Sequence, residues 1–247
     1  LITNSIGMAN VCLIPLSWSI HRGQGVKILS LVSNILRKES YLLPYLYKST
    51  FSDESFEGAV VLPPVPGIYS KDPVAVLDYA SLYPSSMIMG NLSHETVCED
   101  EKWLGEDGAK RLEQLGYTYY DVSYDTFDII KTPAGAIKEK KQSGIKTVRF
   151  VKCGEEKGLI PKTLEHLLSA RKSTRLKIKY KTLLLKNNKS YSGILTEHNS
   201  VITVKNPELS INIDKDDIIS TKDTYSKFEK NILDGLQLAF KITANSL

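Results

Sequence analysis

Apolar residues recur every three or four positions at Val26, Leu29, Val32, Ile35 and Leu36, which predicts a helix within the first fifty residues. The stretch before it, HRGQGVK at 21–27, reads as a polar turn with two glycines, and 41–47 as an aromatic, Pro-containing exit. Residues 56–69 suit a short strand and a Pro-rich turn. The segment 74–91, VAVLDYASLYPSSMIMGN, predicts a buried strand over 74–78 that ends on Asp78, a turn, and a helix with Pro84 in its first turn. Residues 110–115 predict a short helix stopped by Gly116. Alternation over 117–130 and a β-rich run at 145–152 predict a hairpin-like pair, linked by the polar stretch 132–144. From Pro161 onward no breaker occurs for over twenty residues, so one helix is expected to run to about 185. Three or four short β patterns follow, at 192–196, 200–205, 209–213 and 217–220. A last helix over 226–247 carries the stripe Leu233, Leu236, Ala239, Phe240 and Thr243. The class expected is α+β.

Composition adds little until it is localised. The chain has 247 residues and a net charge of +4. Residues 171–189 hold eight basic side chains and no acid, so the remainder is net acidic. Such a run is a solvated helix face or a seat for a polyanion. The acids Glu95, Glu99, Asp100, Glu101, Glu106 and Asp107 read as a solvated surface stretch rather than metal ligands. Cys12, Cys98 and Cys153 are far apart and odd in number, which argues against a disulfide framework or a zinc site and for a reducing, intracellular compartment. No run of 18 apolar residues suggests a membrane span, and no membrane partner is expected. The first residue is not Met and the last helix is open-ended, so a piece of a longer protein is expected.

The chemistry is concentrated around Asp78. A carboxylate at the end of a strand can hold a divalent cation. The N–H groups of Ser81, Leu82 and Tyr83, at a helix start, can point at phosphate oxygens. The plainer alternative is a strand–turn–helix with Asp78 as a cap. Asp-x-x-Ser-Leu-Tyr-Pro-Ser at 78–85 resembles motif A of the family B DNA polymerases. The resemblance implies that Asp78 and the Tyr79 carbonyl bind two Mg²⁺ ions in the palm. It implies that the Ser81 and Leu82 amides hold a triphosphate and that the Tyr83 ring excludes a 2′-hydroxyl.

Other segments resemble the same family. HRGQGVK resembles the RGQxxK lead into the palm of delta-type and large-DNA-virus members. Phe56-Glu57-Gly58-Ala59 resembles the segment that touches template DNA, which implies DNA contact at Gly58 and Ala59. Gly158-Leu159-Ile160-Pro161 resembles the start of the first fingers helix, with Arg171 and Arg175 as its paired cations toward the γ- and β-phosphates. The closing Lys-Ile-Thr-Ala-Asn-Ser resembles the opening of motif B, with Lys241 toward the α-phosphate and Asn245 beside the nascent base pair. The domains implied are a connector and N-terminal palm segment at 1–70, palm at 71–157, and a fingers hairpin at 158–247 with a β module inserted at 188–224.

If the hairpin tip lies near Asn187 and Tyr225, Arg171 and Lys241 are each 16 residues from it and should stand level, about 24 Å below it. The function implied is template-directed addition of dNTP to a primer 3′-hydroxyl by two-metal phosphoryl transfer, as part of a longer nucleotidyltransferase in DNA replication. Partners implied are primer–template DNA, dNTP and a sliding clamp or other replication proteins, in a host nucleus or a cytoplasmic viral factory. Motif C, with its second carboxylates, does not occur here, so the segment alone is expected to be inactive. The alternatives are a non-catalytic nucleic-acid-binding paralogue and a protein-primed polymerase, against which the RGQ and GLIP segments argue.

Overall fold

A computed structural model of the chain describes residues 2–42, 61–71, 73–98, 100–131, 137–152 and 157–247. These residues are α+β, with helices and two antiparallel sheets. The chain divides into two compact units: Leu1–Leu43 with Lys162–Leu247, and Pro44–Pro161.

In the first unit, α1 (Ile2–Cys12) and α2 (Leu16–His21) precede α3 (Gln24–Lys38). The helix predicted around Val26–Leu36 is therefore present, but it starts earlier than expected. Gly25 and Lys27 lie inside it, and only Arg22 and Gly23 form the turn. Helix α1 packs on α7 (Lys227–Ala244) at a close glycine crossing. A Cβ at Gly7 would stand 3.2 Å from the Gly235 carbonyl oxygen. Beside the crossing, Cys12, Met8 and Ile14 form a small buried cluster with Ile242. Helix α7 begins with a capping box: the Ser226 side chain accepts from the Glu229 amide, and the Glu229 carboxylate accepts from the Ser226 amide at 2.7 Å.

Helix α6 (Leu159–Ile178) is shorter than its unbroken sequence suggests. The residues that should continue it, Lys181–Leu185, form strand β4. The reason is a two-residue period: Leu183 and Leu185 are buried while Leu184 between them is partly exposed. Those two leucines pack with Val204 and Ile213 in the core of the inserted module. The four predicted β patterns appear as β5 (Ser190–His198), β6 (Val201–Lys205), β7 (Ser210–Asp214) and β8 (Ile218–Asp223). The five strands are ordered β7-β6-β5-β4-β8, with a 3-10 turn at Lys215–Asp217 before the last. The module therefore spans 181–223, and its first and last strands pair, Lys181 opposite Asp223.

In the second unit, α4 (Leu82–Met89) is the helix predicted after Asp78, with Pro84 buried in its first turn. The buried strand expected over 74–78 is not found. Among the described residues the backbone there has no ladder partner, and Val74, Val76 and Leu77 are 67%, 89% and 94% exposed. Among the described residues no strand lies beside it to take its N–H and C=O groups. The described part of the Pro-rich stretch, 61–69, likewise forms no strand.

Helix α5 (Gly105–Gln114) is the short helix expected before Gly116, begun one turn and more earlier. Gly116 takes a left-handed φ of +81°, and the Tyr117 amide returns to the Leu112 carbonyl at 2.9 Å. Strands β2 (Thr118–Lys131) and β3 (Ile137–Lys152) form the predicted hairpin, and β1 (Val97–Cys98) pairs on the other edge of β3. The hairpin is longer than expected, because 137–144 belongs to β3 rather than to a loop. Arg149 of β3 is buried at the foot of this sheet. It grips both carboxylate oxygens of Asp121, at 2.7 and 2.8 Å, and donates to the carbonyls of Trp103 and Gly105 at 2.8 and 2.9 Å.

Candidate functional site

The geometry around Asp78 follows from one strained residue. Ser81 is the N-cap of α4 and sits at φ 54°, ψ 57°, a left-handed conformation that costs a non-glycine residue about 1–2 kcal/mol. Helix α4 therefore starts four residues after Asp78. The turn is held by the Ser85 amide on the Ser81 carbonyl at 2.9 Å and the Ser85 hydroxyl on the Ala80 carbonyl at 3.0 Å. The Ser81 side chain makes no capping bond, and among the described residues no side chain caps the first turn of α4. Asp78 does not occupy the cap position, which removes the capping reading. Asp78 and Tyr79 are exposed, and the Tyr83 ring is 70% exposed.

The carboxylate of Asp78 and the carbonyl of Tyr79 are hard oxygen donors of the kind Mg²⁺ takes. They are a partial set. No cluster of three or more His, Cys, Asp or Glu able to hold a metal occurs among the described residues. A bound ion would need further oxygen donors beside these two.

The second group of predicted residues lies in the first unit. Arg171 and Arg175 line one groove of about 200 Å³ on α6, together with Leu168, Lys172, Leu176 and Lys179. The four cations of that groove have no acid among its lining. Arg171 Nε donates to Gln237 Oε1 on α7 at 3.5 Å. Lys241 is exposed and sits one helical turn beyond Gln237. The expected level pairing of Arg171 with Lys241 therefore fails. Because α6 stops at Ile178, Arg171 lies only about 10 Å from its helix end, whereas Lys241 lies about 21 Å into α7. Asn245 is the exposed C-cap of α7, its amide bonded to the Lys241 carbonyl at 3.1 Å. Gly58 and Ala59 lie outside the described residues.

Three residues escaped the sequence reading. Within the second unit, the loop after α4 presents Asn91, Ser93 and Glu95 to the first turn of α6. The Gly158 amide donates to Asn91 Oδ1 at 2.7 Å, the Leu159 amide to Glu95 Oε1, and the Ile160 amide to Ser93 Oγ at 3.2 Å. The Ser93 hydroxyl also donates to Glu95 Oε2 at 2.6 Å. Three N–H groups that a helix start leaves unpaired are thus satisfied by three side chains. Burial pushes the Glu95 carboxyl up, but the bonds from the Leu159 amide and the Ser93 hydroxyl outweigh it and hold the group below the usual carboxylate range. In sequence Glu95 is only one of several acids that suit a solvated surface stretch. The only local signal was the Asn-x-Ser-x-Glu spacing straight after an apolar helix.

The model of DNA polymerase family B matches residues 14–188. The chain belongs to that family. The match covers the Asp78 turn and the α6 cations, and it stops inside the β module. The chain is 44% identical over 248 residues to a DNA polymerase of Pyramimonas orientalis virus, covering 99% of this chain and 19% of the relative. It is 32% identical to the DNA polymerase delta catalytic subunit of Dictyostelium discoideum, over all of this chain and 16% of the relative. The chain therefore spans less than a fifth of the length of these family B relatives. Among solved structures, the family B DNA polymerase of the archaeon Pyrobaculum calidifontis matches the whole chain and 22% of its own length. Its TM-score is 0.50 at 22% identity, a likeness of fold alone. No helix among the described residues is long and apolar enough to cross a membrane.

Proposed function

We propose that this chain supplies part of the nucleotide-binding and metal-binding surface of a DNA-directed DNA polymerase. The observation that carries the reading is Asp78 set directly before the left-handed Ser81 and the uncapped start of α4. That turn sets one carboxylate beside first-turn N–H groups that no side chain caps among the described residues, which suits a nucleoside triphosphate with its cation.

Asp78 and the Tyr79 carbonyl would hold Mg²⁺, which when bound would neutralise the phosphates and activate the primer hydroxyl in a two-metal scheme. The Ser81 and Leu82 amides orient the triphosphate. Arg171 and Arg175, four residues apart on α6, grip its outer phosphates; their planar forks favour bidentate contact. Lys241 neutralises the α-phosphate side, and Asn245 lies against the forming base pair. The primer 3′-oxygen attacks the α-phosphorus, the bond to the β-phosphate oxygen breaks, and pyrophosphate leaves. Tyr83 blocks a 2′-hydroxyl. Template contact through Gly58 and Ala59, a sliding clamp as partner, and work in a reducing compartment such as a nucleus or viral factory complete the proposal for the whole protein. With Asp78 in no cluster of metal-ligating side chains among the described residues, these residues by themselves do not make the two-metal site in this proposal.

The test is primer extension by the purified full-length protein. Asp78→Asn should abolish incorporation while leaving DNA binding in place. Tyr83→Ala should admit ribonucleotides at least tenfold more readily. Unchanged sugar preference in Tyr83→Ala, or full activity in Asp78→Asn, overturns the assignment.

A further inference from the structure

Ser85 is not among the residues that would touch a nucleotide, yet it holds both carbonyls that flank the strained turn. Its hydroxyl donates to the Ala80 carbonyl at 3.0 Å, and its amide donates to the Ser81 carbonyl at 2.9 Å. Each of these carbonyls belongs to a peptide plane whose other end is an N–H. The Ala80 carbonyl shares its plane with the Ser81 N–H, and the Ser81 carbonyl shares its plane with the Leu82 N–H. No peptide among the described residues is cis, so in each plane the N–H points opposite to the C=O. With both carbonyls drawn towards Ser85, the Ser81 and Leu82 amides are turned away from it. These are the two amides that the proposal above gives to the triphosphate. Pro84, the residue before, has no N–H and offers neither carbonyl a backbone donor.

The two bonds differ in what supplies them. Any residue but proline at position 85 keeps the amide bond, which is the first i to i−4 bond of α4. Only a side-chain hydroxyl supplies the other. That bond works against the strain at Ser81, whose φ of 54° disfavours the turn by about five- to thirtyfold relative to a negative φ. Turning over the Ala80–Ser81 peptide would carry the φ of Ser81 to the negative side and reverse its N–H. One hydrogen bond contributes about two- to tenfold to such an equilibrium, which is comparable with the strain it opposes. Without the hydroxyl, the turn is expected to spend part of its time with the Ser81 N–H reversed.

We propose that Ser85 is a positioning residue for nucleotide binding: its hydroxyl aims the Ser81 amide without touching the nucleotide. The inference rests on the polymerase reading above. Its test uses the full-length protein in single-turnover primer extension, with dNTP Kd, the maximal rate and primer–template Kd measured separately. Ser85→Ala should raise dNTP Kd about fivefold, because only the fraction of turns with the amide in place binds, and should change primer–template Kd less than about twofold. Ser85→Thr keeps the hydroxyl and should restore most of the affinity. Ser81→Gly, added to Ser85→Ala, removes the left-handed penalty and should recover about twofold or more of the loss, which a mere packing defect would not. Ser86→Ala, at the next exposed position of α4, should leave dNTP Kd within about twofold. The positioning role is wrong, although the polymerase reading stands, if Ser85→Ala leaves dNTP Kd unchanged or Ser85→Thr restores nothing. It is equally wrong if Ser81→Gly recovers nothing or Ser86→Ala costs as much as Ser85→Ala. If the unaltered protein extends no primer, or Asp78→Asn keeps full activity, the polymerase reading fails first and takes this inference with it.

Discussion

Replacing Arg149 should unfasten one corner of the second unit. Its guanidinium makes four hydrogen bonds, two to Asp121 and one each to the carbonyls of Trp103 and Gly105, and lies 4.2 Å from the Tyr119 ring centroid. Arg149→Met strands both carbonyls, at about 1 kcal/mol or more apiece. The Asp121 side chain is 38% exposed, so its share is discounted to about 1 kcal/mol. Loss of the ring contact adds about 0.5–1 kcal/mol. The total is about 3–4 kcal/mol, and Arg149→Lys, which keeps a charge but not the fork, should lose about half of that. The 247 residues hold two tryptophans, and Trp103 lies in the 3-10 turn that Arg149 holds. In a Trp18→Phe background its fluorescence therefore follows urea unfolding of this unit. At a slope of about 2 kcal/mol/M the midpoint should fall by about 1.5–2 M for Arg149→Met. If Arg149→Met lost no more than Asp121→Asn, the two carbonyl bonds would be contributing nothing and the reasoning would be refuted.

Other outcomes follow from single contacts. The Arg149 hydrogen bond holds the Asp121 carboxyl below its usual range, against a burial effect and helped by the Arg149 charge. That stabilisation is present above the unfolded carboxylate pKa of about 3.9 and is lost as pH falls through the lower folded value, so Asp121→Asn should flatten acid unfolding below about pH 4. Ser226→Ala removes half of the capping box and should cost about 1 kcal/mol, read as faster amide exchange confined to the first turn of α7. Leu183 is fully buried in the β module, and Leu183→Ala should destabilise that module by about 2–4 kcal/mol in thermal unfolding. Burial raises the Cys12 thiol above its usual pKa, despite the Thr243 hydrogen bond and the Lys27 charge. Alkylation at pH 8 followed by peptide mapping should therefore label Cys98 well before Cys12.

The elements legible in the sequence are those whose signal is local. Helix α3 shows its stripe, α4 its proline, and β5 to β8 are punctuated by Gly, Asn, Pro and Asp. Strand β4 was hidden because Lys-Thr-Leu-Leu-Leu follows a helix with no breaker between, and only the module core reveals that every second leucine points inward. The segment before Asp78 misled in the opposite sense: it has strand composition, but among the described residues it has no neighbour to make it a strand. For Asp78 and the α6 cations, spacing alone leaves a capping carboxylate and a solvated helix face open, and only the motif resemblance turns them into site candidates. The α6 cap could be read in neither way, since its partners lie 64 and 67 residues apart along the chain and meet only through the fold.

Strand β4 leaves α6 and β8 returns to α7 as hydrogen-bonded neighbours, and the Thr224 amide closes on the Tyr180 carbonyl one step further out. Antiparallel partners of this kind stand about 5 Å apart. To the two helices the module is thus no longer than a tight turn, however many residues it holds. The entropy of closing a long excursion falls on the module, which meets it with a core of its own. The position is a natural socket. Any small domain whose own ends meet at about 5 Å can be exchanged into it, and the module can grow, shrink or diverge without altering the span it bridges.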